Sequence, residues 1–99
     1  MAKQVIWNKR AIKKLEEIIN YLEIKASPKA AINLASKVFE SIEILSRYPE
    51  RGRKSKRRKT IRLINIGKHH HLYYRIHGKK LIIINFFDLR QEPSKNPYN

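Results

Sequence analysis

The spacing of apolar residues changes period partway along the chain, and that change divides it into elements. After a short β-prone run, Gln4-Val5-Ile6-Trp7, the residues Ala11, Ile12, Leu15, Ile18, Ile19 and Leu22 recur at intervals of three and four, with Lys13, Lys14, Glu16 and Glu17 on the opposite side. This predicts an amphipathic helix from Lys9 to about Lys25. Asn8 is its N-cap, because a side-chain oxygen there can accept an otherwise unpaired amide of the first turn. Ser27-Pro28 is a second start signal, a capping hydroxyl followed by a residue whose missing N–H costs nothing in a first turn. Ala31, Leu34, Ala35, Val38, Ile42 and Leu45 then form the stripe of a second helix to about Arg47, which Pro49 stops. The short link makes the pair an antiparallel helical hairpin, and Ala30, Ala31 and Ala35 allow close approach.

Beyond Pro49 the helical period is lost, and three β-prone runs follow: Thr60 to Ile66, His69 to Ile76 and Leu81 to Phe87. Gly67-Lys68 separates the first two. The four polar residues His77-Gly78-Lys79-Lys80 separate the last two, and Gly78 can supply the positive φ of a tight turn. Leu81 to Phe87 is apolar at six of seven positions, Asn85 being the exception, which predicts a strand buried on both faces at the centre of the sheet. The expected fold is a single α+β domain of order β-α-α-β-β-β. An N-terminal strand joins a three-stranded antiparallel meander at one edge, and the helical hairpin covers one face. Pro93 and Pro97 close a polar tail with no further strand, and no internal repeat is present.

Charge changes this picture. The 99 residues carry 23 Lys and Arg against 8 Asp and Glu, a net +15, far beyond what solubility requires and enough to attract a polyanion. Arg51 to Lys59 holds seven positive side chains in nine positions with no apolar residue, so it reads as a loop. Arg53, Lys54, Lys56, Arg57, Arg58 and Lys59 are its candidate nucleic-acid-binding residues, suited to phosphates and carrying no base specificity. There is no cysteine, which excludes disulfides and thiolate metal sites. No apolar run approaches a membrane span and the N-terminus lacks a secretory apolar core, so a soluble cytoplasmic protein without a membrane partner is expected.

His69-His70-His71 invites a metal site, but alternation along a strand puts only His69 and His71 on one side, and two ligands are too few for zinc. Neither a metal, a cofactor nor a small-molecule substrate is expected. No Ser stands in a nucleophile elbow and no phosphate-cradling glycine pattern occurs. Any catalysis must use what a basic nuclease uses, Arg or Lys to stabilise a phosphate and His to move a proton. Arg62, His71 and Arg90 are the candidate catalytic residues, expected to meet on the sheet face away from the helices. Arg75 is expected to pair with Asp88 or Glu92.

The segment Tyr48-Pro49-Glu50-Arg51-Gly52-Arg53, then Ile61-Arg62-Leu63, Tyr74-Arg75-Ile76 and the ending Phe87-Asp88-Leu89-Arg90-Gln91-Glu92-Pro93, in this order and over nearly the whole chain, resemble the RelE/ParE superfamily of toxins from type II toxin–antitoxin pairs, often labelled plasmid-stabilisation proteins. The resemblance implies a small basic toxin neutralised by a cognate antitoxin. It implies one of two targets: ribosome-bound messenger RNA, cleaved by RelE-like members, or DNA gyrase, inhibited by ParE-like members. Arg62 matches a basic strand residue of the RelE-like toxins and Arg90 their C-terminal arginine. A second strand lysine is replaced by Ile64, the arginine of the next strand by His71, and the late tyrosine by Asn96, with Tyr98 nearby. These departures, with the long helical hairpin, lean toward the ParE-like branch. A non-toxic basic nucleic-acid-binding module is the alternative.

Overall fold

The computed structural model describes residues 2–90. Both helices begin where their caps dictate. Asn8 Oδ1 accepts the Ala11 amide at 2.8 Å and opens α1 (Lys9–Lys25); Ser27 Oγ accepts the Ala30 amide at 3.1 Å and opens α2 (Pro28–Arg47). A single 3-10 turn, Pro49–Arg51, follows.

The strands are β1 (Gln4–Trp7), β2 (Arg53–Lys54), β3 (Arg62–Ile66), β4 (His70–His77) and β5 (Lys80–Asp88). They form one mixed sheet of order β1-β5-β4-β3-β2. β1 runs parallel to β5, Gln4 opposite Lys80 through Trp7 opposite Ile83, and the other pairings are antiparallel. The α+β order is that read from the sequence, with one strand added: the basic run is not all loop, since Arg53 and Lys54 pair with Leu63 and Arg62. A two-residue strand of cations has no apolar alternation to announce it.

Two further expectations are corrected. β4, not β5, lies at the middle of the sheet, and β5 is fully buried on one face only. Leu81, Ile83 and Phe86 are 0% exposed, whereas Ile82, Ile84 and Phe87 are half-buried. The connection between β4 and β5 is also tighter than four residues, because His77 and Lys80 still pair and only Gly78-Lys79 intervene, with Gly78 at φ 57°.

The main core lies between the helices and one face of the sheet. Ala11, Leu15 and Ile18 of α1 and Leu34, Val38, Ile42 and Leu45 of α2 meet Ile66, Leu72, Tyr74, Leu81, Ile83 and Phe86. Each fully buried Leu, Ile or Phe contributes about 1.5–3 kcal/mol relative to exposure. A smaller cluster on the opposite, open face joins Ile61, Leu63 and Tyr73 to Ile84 and Phe87. The two sets do not follow simple alternation, because Tyr73 pairs with Asn85 while Tyr74 pairs with Ile83. The skipped residue, Ile84, is a β-bulge, and it moves Phe86 to the helix face and Phe87 to the open one.

Where the chain leaves α2, the Tyr74 hydroxyl holds it. It donates to Pro49 O at 2.7 Å and accepts from the Gly52 amide at 2.9 Å. Arg62 Nη1 donates to Gly52 O at 2.7 Å and to Glu50 O at 3.2 Å. Burial raises the Tyr74 pKa, partly offset by the Gly52 hydrogen bond, so the phenol stays protonated and able to donate. Gly52 is required here by space. A Cβ would stand 2.4 Å from the Tyr74 hydroxyl and 2.8 Å from Leu63 O.

Tyr74→Phe, which leaves a buried amide and carbonyl without their partner, should cost about 1–3 kcal/mol. Gly52→Ala should cost a similar amount, about 1–3 kcal/mol, by overpacking. Because one hydroxyl causes much of the clash, the two costs should be less than additive in a double-mutant cycle read by urea denaturation. Strict additivity would mean that Gly52 and Tyr74 do not act through this contact.

Candidate functional site

The candidate residues divide between the two faces of the sheet. Arg62 shares the helix face with Ile64 and Ile66, opposite Tyr74, and its guanidinium serves the carbonyls of the 3-10 turn. His71 lies on the open face beside Tyr73, with Nδ1 3.2 Å from the Tyr73 hydroxyl and the two rings edge to face. Arg90 lies past the end of β5, where its Nε and Nη2 donate to the two oxygens of Asp88 at 3.0 and 2.9 Å. The expected meeting of Arg62, His71 and Arg90 on the open face therefore does not occur. Both faces of β3 carry apolar residues, so strand alternation gave the relative direction of Arg62 and its neighbours, not which side met the helices.

Asp88 is 4% exposed and is the carboxylate that Arg90, not Arg75, occupies. Burial pushes its pKa up, but the Arg90 hydrogen bonds and the nearby His70 outweigh this and hold it below the ordinary carboxylate value. Glu92, the other partner expected for Arg75, lies outside the described residues, as do Pro93, Asn96, Pro97 and Tyr98.

The three consecutive histidines are separated by the start of β4. His69 is exposed in the turn, His70 is buried on the helix face and His71 is half-buried on the open face. His70 stacks on Phe86 at 5.3 Å, and its Nε2 is 3.7 Å from Asp88 Oδ2, too long for a hydrogen bond. Burial lowers its pKa, only partly opposed by Asp88. Burial also lowers that of His71, helped by the positive charge of Arg53. No group of three or more potential ligands for a metal forms among the described residues.

The basic run is tied at its ends. The Ser55 amide donates to Ile61 O at 2.8 Å and the Ile61 amide to Arg58 O at 2.9 Å, closing the loop that carries Lys56, Arg57, Arg58 and Lys59. Arg53, opposite Leu63, reaches the open face, whereas Lys54, opposite Arg62, belongs to the other. Sequence reasoning did not find the residues that meet this loop. Arg10 at the start of α1 and Arg75 on β4 line one cleft with Arg58. These residues lie far apart in the chain, and no spacing rule connects them.

The described helices include none long and apolar enough to cross a membrane. They do expose apolar side chains on the outer side, Ile32 at 64% and Phe39 at 59% among them.

Comparison with known proteins agrees with the fold. A profile described as ParE toxin of type II toxin-antitoxin system, parDE, matches residues 5–92. The Sinorhizobium fredii protein named "Putative toxin Y4kP" is 31% identical over 74 residues, covering 75% of this chain and 76% of its own. Among solved structures, the chromosomal ParDE toxin–antitoxin system of P. aeruginosa superposes with a TM-score of 0.75 at 15% identity, over 88% of this chain and 96% of the other. The RelBE2 toxin–antitoxin complex of Mycobacterium tuberculosis gives 0.62 at 21% identity, over 89% and 99%. At these identities the structural likeness is one of fold.

The depressed imidazoles make stability fall with acid. Above the ordinary histidine value of about 6.5 both folded and unfolded chains hold neutral rings. As pH drops through that value the unfolded chain takes up protons that buried His70 and half-buried His71 resist, and stability is lost down to their lowered folded values. Asp88 adds a loss of the same sign at lower pH. Urea midpoints at pH 7.5, 6.0 and 5.0 should therefore decline, and His70→Phe, which keeps the stack on Phe86 without a titrating nitrogen, should decline less steeply. Equal slopes for the two proteins would remove His70 from the explanation.

Proposed function

The chain belongs to the ParE toxin family of type II toxin–antitoxin systems, and from that premise we propose that it arrests growth by binding and inhibiting DNA gyrase, without cleaving RNA. The observation that carries this reading is the separation of Arg62, His71 and Arg90. Phosphate cleavage requires a charge stabiliser and a proton carrier within reach of one phosphodiester. Here Arg62 is on the helix face against Glu50 and Gly52 carbonyls, Arg90 is held in two-point contact by Asp88, and His71 stands on the open face with Tyr73. An inhibitor needs no such convergence.

A cognate antitoxin is the second part of the proposal. The outer helix surface, with Ile32 and Phe39 more than half exposed, is apolar ground suited to an antitoxin segment, and the net +15 favours an acidic one. Antitoxin binding would cover this ground and silence the toxin.

Tightly induced expression in bacteria, with labelled thymidine, uridine and amino acids followed over the first minutes, tests the target. Thymidine incorporation should fall first, with filamentation and intact transcripts, and purified protein should block gyrase supercoiling. An immediate stop in amino-acid incorporation with fragmented transcripts would overturn the gyrase reading in favour of ribosome-dependent cleavage. Absence of any arrest would overturn both and favour a non-toxic nucleic-acid-binding module.

A further inference from the structure

The cleft lined by Arg10, Arg58 and Arg75 has no part in the inhibitor reading above and does not depend on it. Its volume is about 890 Å³, and it opens on the face of the sheet that the helices leave uncovered. Its arginines come from three separate elements: the first turn of α1, the closed basic loop and the exposed side of β4. Ile61, Ile82 and Ile84 form its floor.

Three of the other described arginines have partners within the protein. Arg47 pairs with Glu43, Arg90 with Asp88, and Arg62 donates to two carbonyls. Among the described residues none of the three cleft arginines is ion-paired. Gathering unpaired cations at one cleft costs electrostatic free energy in the free protein, and a bound anion would offset it. Guanidinium groups suit the purpose, since each presents a planar fork that matches two phosphate oxygens.

We propose that this cleft binds the phosphodiester backbone of a nucleic acid, with Arg10, Arg58 and Arg75 on successive phosphates and the isoleucine floor beneath the sugars. Two features favour a nucleic acid over an acidic peptide. Arg58 is flanked in its loop by Lys56, Arg57 and Lys59, with no carboxylate in the run, which suits a polymer with a charge at every unit. The isoleucines also offer no hydrogen-bond partner to a peptide backbone, which would lose its water there, whereas the polar atoms of a nucleic-acid strand face the arginine rim. Of the three arginines only Arg58 belongs to the basic run, so the site is an assembly of the fold.

The test uses the full chain and fluorescein-labelled 20-mers of one sequence as DNA duplex, single-stranded DNA and single-stranded RNA, titrated by anisotropy from 50 to 200 mM salt. The R10Q/R75Q variant leaves the basic run intact, and its melting temperature checks that it folds. Losing two phosphate contacts should weaken binding at least about tenfold and flatten the log–log salt dependence by about 1.8 on duplex or about 1.4 on a single strand. The form of nucleic acid bound tightest identifies the natural backbone. K56Q/R57Q, outside the cleft, should weaken binding less. The proposal is overturned if the folded R10Q/R75Q variant binds like wild type, or if wild type binds no form at 50 mM salt. Competition by polyglutamate as effective, charge for charge, as unlabelled oligonucleotide would also overturn it, assigning the cleft to an acidic protein.

Discussion

One phenol hydroxyl decides where the second half of the chain goes. Tyr74 is 0% exposed, so its hydroxyl must find partners inside the protein, and it finds two on the segment just past α2. Holding Pro49 O and the Gly52 amide together fixes the 3-10 turn against β4 and leaves the carbonyls of Glu50 and Gly52 to Arg62 on the adjacent strand. From that point Arg53 can only enter the sheet opposite Leu63. The register of β2 then sets which basic side chains reach the open face and where the loop from Ser55 to Ile61 starts. A bond in the core thus determines the position of a charged surface tens of atoms away.

Charge is handled differently on the two sides of the sheet. On the helix side the only carboxylate buried among the described residues, Asp88, is held by a two-point contact with Arg90 and lies beside stacked His70. Such a buried group adds little net stability, because the desolvation of the carboxylate offsets the attraction. Its effect is on position: the end of β5 is directed toward α1, with the Leu89 amide returned to His69 O. On the open side Arg10, Arg58 and Arg75 gather at one cleft, and among the described residues no carboxylate pairs with them. Part of the excess charge seen in the composition is therefore gathered on this surface.

The helices were legible to the residue, since Asn8 and the Ser27-Pro28 pair are local signals and the three-and-four spacing is local too. The existence and order of the long strands were legible for the same reason. What was not legible depends on which face of a strand meets the helices. Ile64 and Ile66 on one side of β3 and Ile61 and Leu63 on the other are equally apolar, so the sequence carries no sign that Arg62 lies inward and Arg53 outward. The bulge at Ile84 is hidden in a run of three isoleucines, where shifting by one residue leaves the apparent pattern unchanged. Of three histidines, alternation alone could not say that His70 is the buried one.

The same bulge explains why the open face has the character it does. Without it, Phe87 would turn toward the helices and Phe86 away, and Asp88 would leave the helix side on which His70 and Arg90 meet it. With it, Ile84 and Phe87 cover Tyr73 from the open side, with the Tyr73 and Phe87 rings edge to face at 5.8 Å. They form an apolar platform on the open side, with Lys14 of α1 5.6 Å over the Phe87 ring. A half-buried apolar surface next to arginines that have no ion pair among the described residues is unfavourable to both kinds of group: water meets the isoleucines, and the cations repel. A polyanion with less polar faces between its charges would relieve both costs at once. The fold thereby couples the register of one strand to the kind of partner its uncovered face can accept.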